Sequence, residues 1–372
     1  MSQNPESDPN PPPDNAVSIL PLAPSLPLDA TPPAVLRWFE VAADATLPAY
    51  EGTLTADRAA ADAFQRMAKA ENTRKAYRAG VRAWCAWCEA RDRPALPALG
   101  ADIAAFLASE RQRGLTPNSI DLRRAAIRYL HRAAGCAVST DDVCVSDTVA
   151  GIRRDAARHG QLPAKKAAAT VEVLRKILAL VPNDLRGLRD RAILLTGFAG
   201  ALRRSELAAL QIEHIERSSR GMRLTLPQTK GSQSEAVSVP LPFGQTTLCP
   251  VRALSAWLAA AQLTSGPVFR RLWLERKQRP EENAPPLPSI GQEALSAWAI
   301  GKVVKGRAAA AGFQADHFGG HSLKRGALTT GMDQGEHPAR LKRLGRHKTF
   351  DVLGEYLELG DQFENHPLRR VL

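Results

Sequence analysis

The stretch "RLGRHKTFDVLGEYLELG", residues 343 to 360, sets His347 nine residues ahead of Tyr356, one of only four tyrosines in 372 residues. Upstream, "GALRRSEL" carries Arg203, "QTKG" carries Lys230, and "GHSLKRG" carries His321, Lys324 and Arg325. Singly, each has an ordinary explanation: a tyrosine is more often a partly buried aromatic than a nucleophile, and a histidine more often a cap or a surface group. As a set they are cationic donors, two imidazoles and one phenol, the types that can hold an anionic electrophile and attack it. Other chemistries have no motif to stand on. The chain lacks GxxxxGK[ST], GxGxxG, HExxH and GxSxG, which sets aside phosphate-loop nucleotide hydrolysis, zinc proteolysis and serine hydrolysis. "CAWC", Cys85 to Cys88, has redox spacing inside an amphipathic helical pattern, with no strand before it, so it reads as core. His317 and His321 in "HFGGH" have no acidic or cysteine ligand spaced nearby, so no metal is expected.

In this order and spacing the segments resemble the tyrosine recombinases, the family of phage-type integrases and Xer-type resolving recombinases, over roughly residues 61 to 372. The first box of that family reads Gly, an apolar residue, Arg, then Ser-Glu-Leu two places on. "ALRRSEL" is similar to it, with Ala201 for the usual glycine. The resemblance implies Arg203 as catalytic arginine, Lys230 as the hairpin lysine, His321 as the histidine of the His-x-x-Arg box, His347 as the later histidine and Tyr356 as nucleophile. The step from His347 to Tyr356 matches the family spacing and is the most specific element. Where the family carries its second arginine this chain has Lys324, with Arg325 next. Either Lys324 serves as a point charge or a helix irregularity turns Arg325 inward by about 100°. Register favours Lys324, since Gly326 then aligns with the glycine that often follows the box. Glu206 is expected to hold the first box rather than take part in the chemistry.

What the resemblance implies is a site-specific recombinase or integrase that cleaves and rejoins DNA through a 3′-phosphotyrosine, with no metal, cofactor or ATP. The residue types suit it. Arg203 can fork onto a nonbridging phosphate oxygen while His321 and His347 add hydrogen bonds that strengthen in the transition state. Tyr356, whose phenol ordinarily titrates near pH ~10, needs its proton removed by a neighbour such as His321, and Lys230 is the best donor for the leaving 5′-oxygen. The implied partners are a double-stranded recombination site, four protomers exchanging strands on two sites through a Holliday junction, and sister recombinases or accessory proteins. Two rivals are a type IB topoisomerase and, given Lys324, a non-catalytic DNA-binding partner of another recombinase.

The charge balance agrees with a polyanion. The chain is +12 overall, but residues 1–60 hold eight acids and two arginines, a net −6, which leaves +18 on residues 61–372. Five scattered cysteines make no disulfide framework. No run of 18 apolar residues and no signal-peptide pattern is present, so the expected location is cytoplasmic, associated with the nucleoid, with no membrane partner.

These residues need a scaffold, and the pattern predicts a mainly α protein with a small antiparallel β-hairpin, an α+β class. Ten prolines in residues 1–33 mark residues 1–60 as a disordered, acidic tail in which residues 34–60 hold at most a short helix. Residues 61–160 read as a helical domain, implied by the resemblance to clamp DNA, and residues 161–372 as the catalytic domain. Tyr77, Val81, Trp84 and Cys88 share one helix face; Ile120, Ile127 and Leu130 share another. On the latter helix Arg124, Arg128 and His131 line a basic stripe, and with Arg123 and Arg132 it supplies the expected DNA contacts. Residues 157 to 170 read as a linker. Residues 222 to 242 alternate as a hairpin with Lys230 near its tip, and the charged, proline-rich residues 270 to 288 read as a surface loop.

Overall fold

Helix begins at Pro32 in the computed structural model, which describes residues 30–161, 166–227, 236–274, 288–347 and 349–354. This corrects the extent of the expected tail. Thr31, Pro32 and Pro33 stand at the start of α1 (Pro32–Ala42), where a missing amide N–H costs nothing because the first turn has no acceptor for it. Its Val35 and Phe39 are fully buried in the core of the first unit; each such side chain contributes roughly 1.5–3 kcal/mol through burial. Pro32 and Pro33 therefore mark a helix start. Residues 1–29, the rest of the expected tail, lie outside the described residues.

The chain divides into two compact units, Met1–Ala164 and Lys165–Leu372. In the first, α2 (Leu54–Met67), α3 (Glu71–Glu89), α4 (Gly100–Gln112), α5 (Pro117–Ala133) and α6 (Val143–Arg158) follow α1. The apolar faces read from the sequence point inward: Val81, Trp84 and Cys88 of α3 and Ile120, Ile127 and Leu130 of α5 are fully buried. Trp84 donates from Nε1 to the Ala95 carbonyl at 3.1 Å and stacks on Trp87 at 5.6 Å, so its one polar atom is satisfied inside the core. Burial pushes the Cys85 thiol up to about 12 and Cys88 higher still, the behaviour of packing cysteines rather than redox ones.

His131 departs from its expected place on the basic stripe. It is fully buried; Nε2 accepts from the Ala98 amide at 3.1 Å, and Nδ1 is 2.8 Å from the Ile127 carbonyl, which makes Nδ1 the protonated nitrogen. Helical spacing placed it beside Arg124 and Arg128, but a loop from elsewhere in the chain covers that end of the face.

The second unit holds α7 (Val171–Ala179), α8 (Leu185–Ala199), α9 (Arg204–Ala208), strands β1 (Ile215–Ser218), β2 (Gly221–Leu226) and β3 (Val237–Pro242), and α10 (Pro250–Ala260). Then come β4 (Arg270–Leu274), β5 (Pro288–Ala294), α11 (Ala297–Ala310), α12 (Gly320–Asp333), α13 (Pro338–Gly345) and α14 (Phe350–Gly354). The expected hairpin is β2 paired antiparallel with β3, Leu224 opposite Val239; its loop, with Lys230, lies outside the described residues. Met222, Leu224 and Leu226 alternate inward, and β1 extends the sheet on the other edge.

The surface loop expected at residues 270 to 288 is corrected at both ends. Arg270–Leu274 forms β4 and pairs with β5, which sets Leu272 against the core. Charged neighbours masked the alternation, and the pairing partner begins only at Pro288, the far end of the same stretch. The expected linker is also tied down where it is described. Ala167 and Ala169 donate to the carbonyls of His317 and Ser322, and the Ala169 carbonyl passes so close to Gly326 of α12 that a Cβ there would sit 1.9 Å from its oxygen. Only glycine permits that contact, which fixes the register of α12 against the start of the unit.

Candidate active site

Arg203 is the residue that precedes α9, with extended backbone, and Glu206 three residues on folds back to it. The Glu206 carboxylate accepts from the Arg203 amide at 2.9 Å and from Arg203 Nη1 at 2.7 Å. Serine-glutamate at the start of a helix is a capping signal, and here the glutamate caps while the arginine is held by it. The same carboxylate accepts from Arg346 Nη2 at 2.8 Å. Glu206 is only 4% exposed. Burial pushes its carboxyl up, but Arg346, the Arg203 amide and the Arg203 guanidinium outweigh it and hold the carboxyl below its ordinary value. The holding role expected of Glu206 is what its contacts show.

On α12, Lys324 is fully buried and donates from Nζ to the Gly345 carbonyl. Burial, then the nearby charges of Arg203 and Arg346, push its ammonium down to about 7 against the pull of Glu206. Arg325 turns away and donates from Nη1 to the Lys166 carbonyl at 3.1 Å. With α12 regular through this turn, Lys324 and not Arg325 shares the surroundings of Arg203. His321 lies in the first turn of α12, exposed, three residues before Lys324 and so on the same side of the helix.

His347 follows α13 through a left-handed residue, Arg346, at φ 53° and ψ 50°. Its amide donates to the Lys342 carbonyl, and its ring covers Gly345 so closely that a Cβ there would meet Cδ2 at 2.4 Å. Only 7% exposed, His347 is pushed down to about 4 by burial first and then by Lys324, Arg203 and Arg346. At neutral pH it is an uncharged imidazole. The consequence for stability has a definite sign. Below its ordinary value of 6.5 the unfolded chain binds a proton that the folded site refuses until about 4, so stability present above pH 6.5 is lost as pH falls toward 4. Urea unfolding of the wild type against His347→Gln should show the wild type losing more stability between those pH values; parallel pH profiles would reject the buried, neutral imidazole.

The described chain stops at Gly354, two residues short of Tyr356. Leu353 of α14 packs with Leu328 of α12 and Leu341 of α13, so this last element is anchored on the helices that carry Lys324 and lead to His347. Tyr356 and Lys230 lie outside the described residues. The residue that sequence reasoning missed is Arg346. Its only signal in the sequence is its place directly before His347 in "RLGRHKTFDVLGEYLELG".

In the first unit the four expected DNA contacts differ. Arg123 donates to Glu110, which is 3% exposed, at 2.9 Å and to the Ala79 carbonyl, a structural pairing. Arg124 and Arg128 both reach Thr140 and Asp141, the latter an exposed carboxylate whose pairing contributes little. Arg132 is exposed in the last turn of α5.

The chain is similar to known proteins. Residues 63–135 match the phage integrase N-terminal SAM-like domain. An integrase/recombinase xerD homolog of Selenomonas ruminantium is 31% identical over 309 residues, spanning 82% of this chain and 86% of the relative. A tyrosine recombinase of Synechococcus elongatus is 29% identical over 317 residues, 80% and 87% of the two chains. Among solved structures, the XerH site-specific recombinase bound to its palindromic difH substrate superposes with a TM-score of 0.60 at 14% identity, over 94% of this chain and all of that one. A lambda integrase tetramer bound to a Holliday junction gives 0.54 at 16% identity, over 79% and 74%; at such identities these structures speak for the fold. The 31% identical relative over most of both chains places this chain among the DNA strand-transferases. This chain belongs to the tyrosine recombinase family of site-specific recombinases.

Proposed function

We propose that this recombinase cuts one DNA strand at a time with Tyr356, storing the bond as a 3′-phosphotyrosine and rejoining it to a new 5′ end. Arg203 grips a nonbridging phosphate oxygen. Among the described residues its Nε and Nη2 have no acceptor, whereas Nη1 is anchored by Glu206; that half-engaged guanidinium, aimed by a buried carboxylate, is the observation that carries the reading. Lys324 takes the second cation's part as a point charge, and a phosphate oxygen within reach of Nζ would raise its affinity for the proton. His347, neutral, donates to the phosphate, His321 receives the tyrosine proton, and Lys230 protonates the leaving 5′-oxygen. As the bond between phosphorus and the 5′-oxygen breaks, that between phosphorus and the Tyr356 oxygen forms, so the bond count at phosphorus is unchanged and no external energy source enters.

Arg124, Arg128 and Arg132, with Arg123 behind them, bring the first unit onto the duplex. Pairing to an exposed Asp141 leaves Arg124 and Arg128 free to exchange partners for phosphates. Residues 61–160 act as the clamp and 161–372 as the catalytic domain, and four protomers act on two sites, in the manner of the junction-bound lambda integrase tetramer. Among the described residues no helix is long and apolar enough to cross a membrane, in keeping with action on the nucleoid in the cytoplasm.

The test is a nicked duplex carrying the attachment sequence found at the ends of the gene's own element. Wild type should form a covalent protein–DNA adduct on denaturing gels; Tyr356→Phe should form none while binding the same duplex with unchanged affinity. Binding without an adduct would make the protein an accessory partner. Relaxation of supercoils without site preference would make it a type IB topoisomerase.

A further inference from the structure

We propose that Arg346 is a positioning residue of the strand-transfer site, an internal guanidinium that fixes Arg203 and His347 relative to each other. This rests on the strand-transferase reading and concerns a residue that none of the family's boxes assigns. Four of its five N–H groups are engaged by protein oxygens: Nη1 by the carbonyls of Gly200 and Leu344, at 2.9 and 3.2 Å, and Nη2 by the Ala201 carbonyl and Glu206 Oε2, each at 2.8 Å. Its side chain is 10% exposed. A guanidinium so enclosed is not placed to bind phosphate itself; its geometry serves the protein.

What it joins are the two segments that deliver the phosphate donors. Residues 200 and 201 lead directly into Arg203, and Ala201, at the family's usual glycine position, has a left-handed φ of 43°. Arg346 is left-handed as well, and His347 follows it. A side chain with a Cβ disfavours this region by roughly 1–2 kcal/mol, so both turns need something to hold them. The two Arg346 bonds to carbonyls 200 and 201 clasp one turn to the other. Glu206 then links the clasp to the Arg203 guanidinium, and Lys324 closes it from α12 through the Gly345 carbonyl. With lysine in place of the second arginine, α12 offers one donor direction rather than a planar fork; the planar fork in this site sits on the next box, used internally.

Arg346→Ala and Arg346→Lys in the full-length protein test this, with single-turnover adduct formation on the duplex cut by wild type, DNA affinity and melting temperature measured together. Arg346→Ala should slow adduct formation about a hundredfold at saturating DNA and leave Kd within about threefold, and Arg346→Lys should restore at least about tenfold of the rate. Normal cleavage by a folded Arg346→Ala, or a loss accounted for by weaker binding or unfolding and not rescued by lysine, overturns the proposal. A second readout needs no DNA. Imidazole NMR of His347, faced by Lys324, Arg203 and Arg346, should show its titration moved to higher pH and its line broadened in Arg346→Ala, and to a smaller extent in Arg346→Lys, which keeps the charge, relative to wild type. An unchanged His347 titration and line in both overturns the positioning role whatever the DNA shows, whereas a wild type without any adduct, with His347 shifted as expected in the variants, sinks the strand-transferase reading alone.

Discussion

Arg203→Ala is expected to slow adduct formation on saturating DNA by ~10²–10³-fold, the usual loss when one preorganised donor to a developing negative charge is removed. Its Kd for the duplex should change only a few-fold, because DNA affinity is spread over many phosphate contacts. Stability should fall modestly. Glu206 keeps its bond to Arg346 when Arg203 is truncated, so no uncompensated buried carboxylate is created and the roughly 3–5 kcal/mol loss of breaking an isolated buried pair does not apply. Arg203→Lys should recover a small part of the rate, since one ammonium cannot both hold Glu206 and fork onto phosphate. Rapid-quench cleavage with parallel anisotropy measures both quantities. A rate loss matched by an equal rise in Kd would show that Arg203 binds ground-state DNA rather than the transition state.

Lys324→Met should separate stability from activity. The folded site disfavours the Lys324 charge: burial and two arginines bring it from an ordinary 10.5 down to about 7. Below pH 7 both folded and unfolded chains carry the proton and the folded state bears the full penalty. As pH rises from 7 toward 10.5 the folded protein releases the proton and the penalty fades. Methionine removes the charge at nearly constant volume and leaves the Gly345 carbonyl without its donor, a loss of about 1 kcal/mol. The balance should favour the variant by roughly 1–3 kcal/mol near pH 6, with less gain near pH 10, while strand cleavage falls ~10²–10³-fold. Chemical denaturation at the two pH values and the adduct assay decide it. A variant less stable than wild type at pH 6, or one that cleaves normally, would remove Lys324 from the site as a buried cation.

The order of Arg203, His321, Lys324, His347 and Tyr356 was legible because the proposed chemical step would impose residue types at fixed separations along the sequence. The alternation of β2 and β3 and the inward faces of α3 and α5 were legible for the same local reason: period 2 and period 3.6 are properties of the backbone. The register of α12 favours Lys324 from sequence alone, and in the fold Lys324 faces Arg203 while Arg325 reaches the Lys166 carbonyl.

Contacts between distant segments decided the rest. Prolines 32 and 33 look the same in a tail and at a helix start until Phe39 finds the core of the first unit. His131 has stripe spacing, yet residue 98 covers it. β4 became a strand only by pairing with β5. The role of Arg346 depends on carbonyls 145 and 146 residues away in the chain, and no periodicity carries that information. Sequence by itself determined the types, order and spacing of the groups proposed to act on DNA. Tertiary structure determined which of them face one another and in what charge state, because desolvation and charge proximity exist only once the chain is folded.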